Sequence, residues 1–211
     1  MYILTRRRFI RQGSLATSLL IPGMAWAEAL SITPTDAEGP FYPDKMPLDK
    51  DNDLIIINDS ISPAVGQIAH VNGRLTDTKG KPIKNALIEI WQCDANGVYL
   101  HTRDPNLAKH DDNFQSYGAF ETGSSGEYRF RTIKPVPYTG RTPHIHFAVS
   151  RGGRRVLTTQ LYVKGEKGNK RDGLFNRIDA DRRSAVLADF AAIPNSKTNE
   201  LAATFNIVLP A

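Results

Sequence analysis

Cysteine is almost absent: Cys93 is the one thiol among 211 residues. No internal disulfide framework is possible, so an apolar core must hold the fold together. The neighbours of Cys93 in Ile88-Glu89-Ile90-Trp91-Gln92-Cys93-Asp94 make it a partly buried strand residue rather than a nucleophile. Long apolar runs are missing as well. The longest near the N-terminus, Leu15 to Ile21, falls short of the roughly 20 residues that span a bilayer. Composition is otherwise that of an ordinary globular chain, with 40% hydrophobic and 23% charged residues, which excludes disorder.

An excess of charge of one sign is also missing once the N-terminus is set apart. Residues 1–27 have a basic start, the short apolar run, and Ala25-Trp26-Ala27 in a small-x-small cleavage pattern, the layout of a signal peptide. Thr5-Arg6-Arg7-Arg8-Phe9-Ile10 resembles the twin-arginine export signal, which implies a periplasmic or secreted protein exported already folded. This leader holds four arginines and no acid, leaving 23 basic against 22 acidic side chains. The remainder has no positive field to attract phosphate backbones and no basic patch interleaved with aromatics, so nucleic acid is excluded as an expected partner. No membrane span is expected after leader removal.

What is present is punctuation followed by alternation. Residues 28–66 are rich in Pro, Asp and Gly, without helical or strand period, and read as an extended arm. Residues 67–211 read as one domain. Around Gly80-Lys81-Pro82 stand two apolar runs, a hairpin or a Greek-key corner, and in the second Leu87, Glu89, Trp91 and Cys93 oppose Ile88, Ile90 and Gln92. Tyr128 and Phe130 alternate with Arg129 and Arg131, and HIHFAVS, RRVLTTQLYV and TFNIVL add further strands. The stretch from Asp179 to Ile193, with Val186, Leu187 and Phe190 apolar, is predicted as a short C-terminal helix. Many short strands and one helix give an all-β, antiparallel β-sandwich with long loops.

Chemistry concentrates in PVPYTGRTPHIHFAVS. Side chains alternate along a strand, so His144, His146 and Ala148 share one face while apolar Ile145, Phe147 and Val149 share the other. Two imidazoles at that spacing suit joint coordination of one ion, although His-x-His alone also fits two surface histidines. Tyr138 and Arg141 sit in the loop leading into this strand, and Tyr99 follows another strand. Loops held by a rigid sheet are where sites gather. His70, His101 and His110 offer no ligand pattern and read as surface or supporting residues.

Five segments, TPTDAEGPFY, PIKNALIEIWQCDANGVYLH, GEYRFRTIKPVPY, RTPHIHF and LTTQLYV, resemble in content and order the signature segments of the intradiol ring-cleavage dioxygenases, the catechol and protocatechuate dioxygenase family, and most nearly the protocatechuate 3,4-dioxygenase β-subunit type. The resemblance implies a transthyretin (prealbumin)-like sandwich. It also implies a mononuclear non-haem Fe(III) held by Tyr99, Tyr138, His144 and His146, with a catechol-type aromatic and O2 as substrates. The aromatic would be cleaved between its hydroxyl-bearing carbons to a muconate-type diacid. Tyr138 is further implied as a proton acceptor, Arg141 as the cation that stabilises the reacting ring, Gln160 as a residue bonding near the substrate or orienting Arg141, and Trp91 as a substrate contact. Two phenolates are hard anionic donors suited to ferric iron, whereas two histidines and a carboxylate would suit Fe(II).

The chain departs from that family in places. Five residues separate Tyr138 from His144, fewer than in the protocatechuate enzymes, and the helical N-terminal dimerisation domain of the catechol branch is missing, which leaves the ring substituent open and room for a homo-oligomer. Two rival readings use fewer of these residues: a non-catalytic transthyretin-like binding module, and an exported copper or zinc carrier built on His144 and His146. Replacing both Arg6 and Arg7 by lysine is expected to block export, with the protein retained in the cytoplasmic fraction on cell fractionation; unchanged export would refute the twin-arginine reading.

Overall fold

The computed structural model describes residues 30–211 except 48 and 59; the expected signal peptide lies outside the described residues. Ten strands and one α-helix are found among them. The strands are β1 Ile68–Asp77, β2 Ala86–Trp91, β3 Tyr117–Glu121, β4 Glu127–Ile133, β5 His144–Arg151, β6 Arg154–Val163, β7 Leu187–Ala188, β8 Ala191–Ala192, β9 Leu201–Thr204 and β10 Ile207–Leu209, and the helix is α1 Gly173–Arg177.

Two five-stranded sheets face each other. In the first, β1 is central: β4 runs antiparallel along one edge, and β9 and β10 run parallel along successive parts of the other, with β8 outside β9. The second has the order β3-β2-β5-β6-β7, antiparallel but for the short β6–β7 pair. The sandwich is as expected, and its sheets are mixed rather than wholly antiparallel. The C-terminal strands reach β1 through long connections instead of hairpins, which permits parallel pairing. The alternative left open at Gly80 resolves to a corner, because β1 and β2 lie in different sheets. Asp77 fixes it, its Oδ1 accepting from the amides of Lys79 at 2.8 Å and Lys81 at 2.9 Å.

The helix expected over residues 179–193 is corrected. Arg183–Val186 is a 3-10 turn and the chain then enters β7 and β8. Val186, Ala188 and Phe190 are buried while Asp189 between them is exposed, a period of two that belongs to a strand. The helix lies earlier, at Gly173–Arg177.

Between the sheets, Ile145, Phe147 and Val149 of β5 join Ile88 and Ile90 of β2, Val71 and Leu75 of β1, and Phe130 of β4 in one buried cluster. Phe147 is its hub: Phe130, Tyr128 and Phe205 meet its ring edge-on at centroid separations of 6.3, 6.1 and 4.9 Å, a favoured aromatic geometry. The opposite face of the second sheet is buried too, because Phe41 and Tyr42 of the arm pack on Trp91, Tyr117 and Ala148. The arm is anchored by backbone hydrogen bonds from Leu30 and Thr33 to Thr78 and Val208 beside the first sheet, and from Asp36 to Thr158 of the second.

Phe147→Ala is expected to cost about 3–5 kcal/mol of unfolding free energy, measured as a lower urea midpoint with the slope retained.

Candidate metal centre

The covered face of β5 carries His144 and His146, 1% and 2% exposed. Strand register surrounds them. Trp91 of β2 and Gln160 of β6 stand on either side of His146, and Tyr162 of β6 stands beside His144. Three strands thus bring positions remote in sequence into one patch, because cross-strand partners share a face.

Two loops add the phenols. Tyr138-Thr139-Gly140-Arg141 is a turn closed by the Arg141 amide donating to the Tyr138 carbonyl at 2.8 Å, with Gly140 at φ 76° in the left-handed region that the third position of a type II turn requires. The turn sets Tyr138 and Arg141 side by side. Tyr99 follows a second turn, in which Asp94 Oδ1 accepts from the amides of Asn96 and Val98, each at 2.9 Å, and the Tyr99 amide itself donates to Asp104 Oδ2 at 2.9 Å.

The four side chains converge. Ring centroids lie 4.7 Å apart for His144 and His146, 5.5 Å for Tyr138 and His144, 5.1 Å for Tyr99 and Tyr138, and 6.1 Å for Tyr99 and His146. His144 Nδ1 donates to the Thr142 carbonyl at 2.7 Å, so its Nε2 carries a lone pair, and that Nε2 is 3.2 Å from Nε2 of His146. Two nitrogens bound to one ion at about 2.0–2.1 Å and at right angles stand about 3 Å apart. The buried Tyr99 hydroxyl has no hydrogen-bond partner among the described residues.

Electrostatics agree with an ion-binding site. Burial, assisted by Arg141, pushes the His144 imidazole down to about 4, and burial holds His146 well below the usual range. Both are neutral donors at physiological pH. Burial raises the Tyr99 phenol well above its ordinary value; it raises Tyr138 as well, against the pull of Arg141. Among the described residues no three or more His, Cys, Asp or Glu side chains are grouped to hold an ion, so the phenols are the donors that complete a set with the two imidazoles. Two neutral nitrogens and two ionisable phenols fit Fe(III).

Each ligand candidate is braced. Trp91, 1% exposed, stacks on His146 at 4.8 Å and 7°. Trp91, expected as a substrate contact, backs the imidazole, with Tyr42 edge-on at 5.1 Å on it. Phe41 stacks on Tyr99 at 4.8 Å, and a side chain at Gly39 would stand 3.4 Å from His146 Cε1. The arm is therefore a wall of the site. Beneath it the buried carboxylate of Glu89 accepts from Tyr42 at 2.7 Å, Tyr117 at 2.8 Å and Arg155 at 2.9 Å.

Arg141 is fixed from two sides: Nη2 donates to Gln160 Oε1 at 2.6 Å and Nε to Asp172 Oδ2 at 2.8 Å. Gln160, 0% exposed, bonds Arg141 through its Oε1 and is itself held by donating to the Ala37 carbonyl at 2.9 Å. A cavity of about 470 Å³ bordered by Pro137, Arg141, Lys167 and Arg171 flanks the guanidinium.

Cys93 is buried, and burial beside Asp94 pushes its thiol up to about 12, which suits an inert packing residue. It lies two residues past the end of β2. His70 pairs with Glu200 and His110 with Ser116, while His101 is buried with Phe41 edge-on at 5.6 Å. Sequence reasoning missed Asp172, Asp36 and Tyr162 as members of this network. Asp172 had a signal, since an aspartate before Gly-Leu-Phe is a helix N-cap pattern.

The family model described as Dioxygenase matches residues 37–211. The chain is 35% identical over 154 residues to the protocatechuate 3,4-dioxygenase beta chain of Burkholderia cepacia, covering 69% of this chain and 65% of that protein. It is 32% identical over 146 residues to hydroxyquinol 1,2-dioxygenase of Corynebacterium glutamicum, covering 61% and 45%. The match thus spans less than two thirds of the length of either curated relative. Its fold is similar, with a TM-score of 0.65 and 32% identity over 86% of this chain and 99% of the other, to the dioxygenase domain of a dioxygenase carbohydrate-binding protein fusion from Streptomyces sp. SirexAA-E. The chain belongs to the intradiol dioxygenase family.

Proposed function

We propose that the protein is a ferric intradiol dioxygenase that opens a catechol-type ring with O2 to a muconate-type diacid. The observation that carries this reading is the convergence of Tyr99, Tyr138, His144 and His146, with the lone pair of His144 directed at Nε2 of His146 and the Tyr99 hydroxyl buried without a partner. Tyr99 and Tyr138 would hold the iron as phenolates, and His144 and His146 as neutral nitrogens. When bound, Fe(III) supplies the positive charge that ionises both phenols and activates a chelated catechol toward dioxygen.

The side chains of the protein do the rest. The Thr142 carbonyl fixes the tautomer of His144, and the Trp91 face fixes the plane of His146, so neither imidazole rotates when substrate arrives. Tyr138, half-buried and beside Arg141, is the phenol positioned to accept a hydroxyl proton from an incoming catechol at its Oη. Tyr99 is fully enclosed and stays in place. Arg141, permanently charged and clamped by Gln160 and Asp172, presents a fixed positive charge to negative charge developing on the ring, without reorganising during the reaction. Phe41 and Tyr42 of the arm keep water from the ligand side chains.

The iron-loaded protein is expected to show a broad visible phenolate-to-iron band that moves to longer wavelength when catechol is added anaerobically. Tyr99→Phe and Tyr138→Phe are each expected to weaken that band and abolish ring cleavage. A colourless iron-loaded protein, with metal content unchanged in both phenylalanine variants, would favour a carrier built on His144 and His146 instead. Arg141→Gln is expected to retain iron, by metal analysis, while kcat falls about 10²- to 10³-fold.

A further inference from the structure

We infer that Asp172 is a positioning residue, whose carboxylate locks the Arg141 guanidinium to the segment that carries His144. The inference rests on the part proposed above for Arg141 and assigns a function to a residue outside the expected ligand and substrate set. Asp172 is 1% exposed, and both its oxygens are fully used. Oδ1 accepts from the amides of Leu174 and Phe175, each at 3.0 Å, at the start of α1. Oδ2 accepts from Arg141 Nε at 2.8 Å and from the Thr142 amide at 3.0 Å.

The second oxygen sets this residue apart from an ordinary cap. A helix start needs one accepting oxygen, and serine or asparagine provides it as well as aspartate. Only a carboxylate offers a second acceptor, and here that acceptor bonds the guanidinium and the backbone of the next residue together. The Thr142 carbonyl in turn accepts from His144 Nδ1 at 2.7 Å, so one carboxylate relates Arg141 to an iron-ligand candidate through three hydrogen bonds. Thr142 is clamped from the same side, its Oγ1 donating to Asn169 Oδ1 at 2.8 Å. Burial alone would raise the carboxyl; the Arg141 guanidinium and the Phe175 and Thr142 amides outweigh it and hold Asp172 below the usual range. With Gln160 on Nη2, two directions of the planar fork are fixed, and two fixed donors orient a planar group. α1 adds rigidity, since Phe175 meets Tyr162 edge-on at 5.0 Å.

Asp172→Asn separates the two duties, because an asparagine still caps α1 but presents its amide to Arg141 and Thr142. In the metal-free protein the Arg141 Nε–H signal, assigned by its loss in Arg141→Gln, should exchange with water about tenfold faster or more in Asp172→Asn, with α1 amides still protected. In the iron-loaded enzyme kcat should fall about tenfold or more in the native background and about twofold or less in the Arg141→Gln background, as expected of a residue acting through Arg141. Unchanged Nε–H exchange, or equal losses in both backgrounds, would overturn the inference and leave Asp172 a helix cap. If the asparagine chain does not fold, Asp172→Glu, which keeps the charge and displaces the oxygens by one methylene, supplies the same comparison. If the native protein cleaves no catechol, the exchange measurement still decides whether Asp172 holds Arg141, and only the proposed function fails.

Discussion

Everything in this molecule depends on one strand having two buried faces. β5 lies between β2 and β6, and its alternation sends Ile145, Phe147 and Val149 into the sandwich core while His144, His146 and Ala148 face the arm. A slip of one residue would exchange the two sets, placing imidazoles in the core and phenylalanine in the site. The cost of burying uncharged histidines among apolar side chains on the wrong face therefore specifies register as firmly as the core does. The same register delivers Trp91 and Gln160 to either side of His146, so stability and site geometry have a common origin.

Such a site is expensive to enclose. A buried polar atom without a partner costs about 1–3 kcal/mol, and the Tyr99 hydroxyl, His146 Nδ1 and Trp91 Nε1 are all in that condition. The stacked Trp91–His146 pair and the Phe41–Tyr99 pair offset part of that cost with aromatic contact area instead of hydrogen bonds. Elsewhere the protein satisfies buried charge by sharing it: Glu89 accepts from Tyr42, Tyr117 and Arg155. Polar atoms among the phenols and imidazoles are thus left without internal partners, while the Glu89 carboxylate one layer out has three donors.

Much of this was legible in the sequence where a period or a motif carried it. The alternation of HIHFAVS placed both histidines on one face, and the alternation of Tyr128 and Phe130 with Arg129 and Arg131 marked a face of β4 that lies in the core. The ligand set followed from resemblance rather than from pattern, since nothing in the spacing of Tyr99 and Tyr138 requires them to meet. The C-terminal helix was misread because Val186, Leu187 and Phe190 fit a helical stripe as well as a strand when burial is unknown, and Ala188 supplies the deciding position. The part of Trp91 came only from the resemblance; its stacking on His146 depends on the β2–β5 register, which one strand cannot reveal. Asp172 and Asp36 were missed for a related reason. Each bonds a residue more than twenty positions away, and a single carboxylate in a loop carries no sequence mark of its partner.

Those two carboxylates give the network around Arg141 its charge. Asp36 accepts from the Tyr162 hydroxyl at 2.6 Å, Arg141 Nη2 donates to Gln160 Oε1 at 2.6 Å and reaches the Tyr162 oxygen at 3.4 Å, and Asp172 closes the far end. Counted formally, two carboxylates and one guanidinium leave this chain of groups with one negative charge. On the proposed reading, a ferric ion with both phenols ionised and two neutral imidazoles has one positive charge. The two assemblies lie next to each other, His144 and Tyr162 being cross-strand partners with ring centroids 5.9 Å apart, and together they are neutral. By the same count a divalent ion reaches neutrality with one phenol still protonated, so ionisation of both phenols is balanced only by a trivalent ion. The arm and α1 therefore do more than cover the sheet: they contribute Asp36 and Asp172, the two carboxylates of the network that holds Arg141 beside the ligand candidates.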